Sequence, residues 1–97
     1  MDNWECYFQM CPSQCYLHKQ YNNVDYVFYL RWRWGDPWQA HIINNATSQH
    51  DMNSDNTRWS EDLFALHGIY YTHNQHMEAK QTLIDLWLFE TGQKDND

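Results

Sequence analysis

Residues 51–62 read DMNSDNTRWSED. Asp51, Asn53, Asp55 and Thr57 fall on alternate positions, and Asp62 closes the window. Oxygen ligands at that spacing suit a hard cation such as Ca²⁺, which gathers several carboxylate, amide and carbonyl oxygens. A second group, ECYFQMCPSQCYLH, spaces Cys6, Cys11, Cys15 and His18 as Cys-x4-Cys-x3-Cys-x2-His. Those are the soft ligands that zinc takes. A third stretch, LRWRW, interleaves Trp32 and Trp34 with Arg31 and Arg33. Aromatic rings alternating with cations can form a stacking platform for single-stranded nucleic acid.

Each group also has a plainer reading. The window 51–62 resembles the calcium loop of EF-hand proteins, which implies ligands from Asp51, Asn53, Asp55, Thr57 and Asp62. It departs from that pattern at Asn56, where the loop has glycine, and at Arg58, where an apolar residue belongs. Asp62 replaces the longer glutamate, and the strand-like AHIINNATSQH precedes the window where a helix leads into an EF-hand. A solvated acidic loop is therefore the favoured reading. The cysteine set has no Cys-x2-Cys knuckle, and Cys6 alternates with Trp4 and Phe8 as a core residue does. Buried free thiols are expected there, not zinc. Six basic residues in the whole chain are too few for extensive phosphate contact. Tyr29, Arg31, Arg33 and His41 are read instead as an outward-facing protein-contact set, since Tyr and Arg are common interface anchors. Six histidines are present, but no HExxH or Gly-x-Ser-x-Gly pattern accompanies them, and three glycines form no phosphate-cradling loop. No catalytic set and no cofactor are assigned.

Composition narrows the setting. A chain of 97 residues holds one domain, read here as 1–92 followed by a frayed tail, 93–97. Six Trp, seven Tyr and four Phe offer large buried area from few positions. The acidic start MDNWECYFQM lacks the basic and apolar regions of a secretory signal, and no apolar run has transmembrane length. With three cysteines, an odd number, a reducing, cytoplasmic setting is expected. The net charge is −7, and it is uneven: residues 1–50 carry four acids against three bases, residues 51–97 nine against three. Such a surface repels nucleic acid and anionic membrane and attracts basic proteins.

Hydrophobic periodicity places the elements. WECYFQM alternates as a strand, with Trp4, Cys6, Phe8 and Met10 on one side. SQCYLHKQY after Pro12 is read as a short helix capped by Ser13, with a second strand as the alternative, and Asn22-Asn23 marks a turn. Residues 24–43 read as a β-hairpin: Tyr26, Phe28, Leu30, Trp32 and Trp34 inward, Val27, Tyr29, Arg31 and Arg33 outward, with Gly35-Asp36-Pro37 at the turn. Residues 44–59 form a polar loop. Ser60 caps a short helix, EDLFALH, that Gly68 ends, and IYYT suits a fourth strand. Residues 74–90 are a helix whose apolar residues span roughly 200° of arc, more than one sheet face needs. The expected fold is α+β, a small antiparallel sheet of three or four strands with the C-terminal helix across one face.

The function expected from these features is binding. A small acidic protein rich in Trp and Tyr suits a basic surface on a larger protein. One concrete version is an inhibitor that fills the nucleic-acid groove of a nuclease or defence complex, similar in size and charge to viral, phage-encoded anti-CRISPR proteins. Asp51, Asp55, Glu61, Asp62, Glu78 and Asp85 would supply the attractive field, and Tyr29, Arg31 and Arg33 an anchor. The competing readings are a Ca²⁺-responsive module using 51–62 and a structural homodimer built on the wide helix arc.

Overall fold

The structure, a computed structural model, describes residues 3–9, 12–44 and 61–92. Four antiparallel strands follow one another in a meander of order β1-β2-β3-β4: β1 Glu5–Phe8, β2 Ser13–Tyr21, β3 Val24–Trp32 and β4 Gln39–Asn44. A one-turn helix α1, Leu63–Leu66, and a 3-10 turn, His73–Gln75, lead to α2, His76–Thr91. The fold is a small α+β domain, with an open antiparallel sheet and the C-terminal helix on one face.

β2 corrects the helical reading of SQCYLHKQY. Ser13, Cys15, Leu17 and Tyr21 are buried along one face, while Gln14, Tyr16, His18 and Gln20 lie on the other. That is a period of two, and the strand pairs along its full length with β3, from Ser13 opposite Trp32 to Tyr21 opposite Val24. Asn22 and Asn23 make the turn between them, with φ of 51° and 64°. Two consecutive left-handed residues suit the right-handed twist of the flanking strands, and asparagine tolerates that conformation better than most side chains. The reading of three free thiols is also corrected. Cys6 and Cys15 face each other directly across β1 and β2 and are joined as a disulfide.

The core lies between the sheet and the helices. Leu17, Phe28, Leu30, Ala40 and Ile42 of the strands meet Leu63 and Phe64 of α1 and Ala79, Leu83, Ile84 and Trp87 of α2. Trp87 is the keystone of that contact, its ring 4.2 Å from Tyr21, 5.0 Å from Tyr26 and 5.6 Å from Phe28, centroid to centroid. Within α2, Ala79, Leu83 and Trp87 recur every four residues and Ile84 widens the stripe, while Met77, at one end of the expected apolar arc, and Phe89 are exposed. Gly92 ends the helix at φ 68°, a position a side chain would strain.

The other sheet face differs from expectation. Val27, Tyr29, His41 and Ile43 are buried there as well. Tyr29 stands directly between Tyr16 and His41 in the register, with ring centroids 4.9 Å and 6.1 Å away. Val27, Phe28, Tyr29 and Leu30 are thus buried in succession, the middle of a strand covered on both faces, while Val24, Asp25 and Tyr26 before them are half-buried. Residues 69–72, expected as a strand, are an irregular segment tied to the approach to β4 by the Trp38 amide, which donates to the Tyr71 carbonyl at 3.0 Å, and to α1 by the Ile69 amide, which donates to the Phe64 carbonyl at 2.8 Å. Among the described residues no helix is long and apolar enough to cross a membrane.

Candidate functional site

At the end of the sheet where β3 finishes, the chain turns sharply. The Asp36 amide donates to the Arg33 carbonyl at 3.0 Å, and Gly35 sits at φ 86°, which glycine adopts without strain. This turn lifts Trp34 out of the strand, leaving it 74% exposed, where the strand pattern assigns it to the core. Trp32, the last residue of β3, stays buried, and the two indoles meet edge to face at 6.1 Å and 75°. His73 meets Trp32 in the same manner, at 4.5 Å and 70°.

These rings wall a groove of two adjoining hollows that share Trp32, Gly35 and His73. One, of about 300 Å³, is completed by Asp36, Pro37 and the segment Tyr70–Thr72. The other, of about 400 Å³, is completed by Trp34 and Asn74. Tyr70 is 70% exposed at the rim. Asp36 is the only carboxylate among the described residues lining the groove, and no lysine or arginine lines it.

The back wall is fixed before any ligand arrives. His73 Nε2 and Ser13 Oγ are 2.9 Å apart, and the buried Trp38 donates from Nε1 to the His73 carbonyl at 3.2 Å. The Trp38 and His73 rings stack at 19° and 5.8 Å, and Phe8 closes edge-on at 5.9 Å. Gln75 Oε1 accepts from both the Thr72 amide, at 2.9 Å, and the Thr72 hydroxyl, at 3.3 Å. That pair holds the 3-10 turn on which His73 sits. Next along α2, Lys80 Nζ lies 3.3 Å from His76 Nδ1, and Phe8 packs on the His76 ring at 4.9 Å. Burial, then the Lys80 charge and His73, hold His76 below the ordinary imidazole range. Burial likewise lowers Lys80.

The residues expected to form a site are scattered. Asp51, Asn53, Asp55 and Thr57 lie outside the described residues. Asp62 is the N-cap of α1, where its Oδ1 accepts from the amides of Ala40 at 3.0 Å, Phe64 at 3.2 Å and Ala65 at 3.5 Å. An oxygen so occupied has little left for the bidentate metal contact that the closing position of a calcium loop makes. Asp62, and not Ser60, is also what starts this helix. Glu61 is partly buried beside it. Glu78 and Asp85 are exposed on α2, Asp85 accepting from Gln81 Nε2 at 2.9 Å.

Of the expected anchor set, Tyr29 is 1% exposed, so it is no surface contact. Burial first, then the neighbouring Tyr16, push its phenol far above the ordinary range. Arg31 is half-buried, His41 is buried, and only Arg33 stands fully in solvent. Of the expected zinc set, Cys11 lies outside the described residues, and the other three do not converge. Cys6 and Cys15 are bonded to each other, and His18 projects from the opposite sheet face. No group of three or more His, Cys, Asp or Glu side chains is placed to hold a metal among the described residues.

Sequence reasoning missed Trp34, Tyr70 and His73 as one surface. A signal existed in WGDPW: an aromatic residue directly before Gly-Asp-Pro belongs to the turn, where binding residues concentrate. The juxtaposition of Trp34 with residues 70–74 arises only when the chain folds back along β4 and through α1. No protein-family model, curated protein or solved structure matches the chain.

Proposed function

We propose that the chain is a non-catalytic, acidic protein-binding module that seats a basic surface of a larger protein. The observation that carries this reading is the pre-formed aromatic groove, with Trp34 and Tyr70 exposed at its rim and the Asp36 carboxylate in its lining, in a chain of net charge −7. Aromatic rims of this kind supply contact area at low entropic cost, and the surrounding field steers a cationic partner toward them. Glu78 and Asp85, exposed on α2, extend that field. Occupying a nucleic-acid-binding surface, and so inhibiting its owner, is the form of this activity that the charge favours.

Ser13 and His73 have the separation of a nucleophile and its base, but the Ser13 side chain is fully buried and beyond reach of a substrate. Its contact pins His73 to the sheet. The cytoplasmic setting loses its argument from free thiols, because a Cys6–Cys15 disulfide persists best in an oxidising compartment.

The test is the titration of a capped oligo-arginine peptide, followed by tryptophan fluorescence, across a range of salt. Affinity is expected to fall steeply with salt and to fall again in the double variant Glu78→Lys, Asp85→Lys. Absence of binding, or binding indifferent to both salt and charge reversal, overturns the proposal.

A further inference from the structure

The groove has a more specific chemistry than a generic acidic face. We infer that its two hollows take the side chain of an arginine projecting from the basic partner; this rests on the protein-binding reading above and names what that site recognises. Trp32 stands perpendicular to both Trp34 and His73, so the three rings form a corner with aromatic faces on more than one side. A cation held against such faces is attracted by the ring quadrupoles. The corner adjoins the hollow that Asp36 lines, so a cation held by the rings would have a carboxylate beside it.

Arginine fits this pairing better than lysine. Its guanidinium is flat, weakly hydrated and able to stack on an indole while its edge donates two parallel hydrogen bonds to one carboxylate. An ammonium group is compact and strongly hydrated, and gives up more on entering an aromatic corner. The hollows, about 300 and 400 Å³, also have room for a side chain that enters by one and rests in the other. No lysine or arginine of the chain lines them to compete for Asp36 among the described residues. The stacked and hydrogen-bonded His73 keeps the back of the corner in place, so little ordering is left for binding to impose.

Trp34 and Asp36 are exposed, so changing them leaves the core intact. The experiment compares capped peptides of arginine, of lysine and of citrulline, the uncharged isostere of arginine, against wild type, Trp34→Ala, Trp34→Phe and Asp36→Asn. Arginine peptide is expected to bind most tightly. Trp34→Ala is expected to weaken it about fivefold or more, with Trp34→Phe recovering part of the loss. Asp36→Asn is expected to narrow the gap between arginine and lysine. Equal binding of arginine and citrulline peptides overturns the inference, because the corner would then be reading shape without charge. Arginine binding that falls with salt yet ignores Trp34 and Asp36 also overturns it, while leaving the acidic-surface reading standing. Absence of any binding defeats both.

Discussion

One carboxylate oxygen, Asp62 Oδ1, accepts from amides of β4 and α1 at once and so ties the helix start to the sheet. Asp62→Ala is expected to cost about 1–3 kcal/mol in chemical denaturation, the sum of a lost cap and a backbone amide left without its acceptor. Binding of basic peptide by the folded fraction is expected to stay unchanged. A carboxylate in an acidic stretch reads from sequence as surface charge, and only the fold reveals that this one is spoken for. His76 sets a pH dependence. Its folded pKa lies below the unfolded value near 6.5, held there by burial and by the Lys80 charge. The unfolded chain therefore binds the proton first. Stability is full above about pH 6.5 and is expected to decline as pH falls below it, a slope that His76→Gln flattens in denaturation curves collected across that window. Tyr29 shows the limit of residue-level reading. The alternation that rightly puts Phe28 and Leu30 toward α2 leaves Tyr29 facing away, but facing away is not the same as facing water. Its environment depends on what covers the second face, which strand periodicity does not encode.

Among the elements, β1 is short and lies at the sheet edge, and its Cys6–Cys15 bond fixes it to β2. Closing a short loop of this kind contributes about 3 kcal/mol by restricting the unfolded chain. Reduction, or the variant Cys6→Ser, is expected to lower stability by that order. Thiol titration of the oxidised, unfolded chain is expected to find one free group, three cysteines less the bonded two. Because Phe8 of β1 packs on His73, reduction is also expected to loosen the groove wall. Both cysteines were visible in the sequence, but their pairing was not, because it follows from β2 being a strand. Ser13–Tyr21 contains no β-branched residue and begins with a good helix cap, so its local preference is weak. The decision came from pairing on both edges, a non-local effect. The C-terminal helix, by contrast, was legible almost to its ends, since its stripe, its length and Gly92 all agree. Leu83→Ala is expected to cost about 2–5 kcal/mol, as truncation of a fully buried leucine does.

The whole molecule joins two properties that were read separately from the sequence: an acidic charge and an excess of large aromatic residues. Charge was countable from composition, and so was the aromatic surplus, but their meeting point was hidden. Trp34, Asp36, Tyr70 and His73 belong to two segments some thirty-five residues apart, brought together where the β3–β4 turn abuts the approach to α2. The groove is the one place described where exposed rings, a fixed back wall and a carboxylate coincide. The proposed seating of a basic partner there is local enough to be mapped. The most direct measurement is a ¹⁵N-resolved NMR titration of the oxidised protein with the oligo-arginine peptide. Shifts are expected to concentrate at the Trp34 indole N–H, Gly35, Asp36 and residues 70–74. Shifts running along α2 at Glu78 and Asp85 with the groove silent, or no shifts at all, would contradict the proposal.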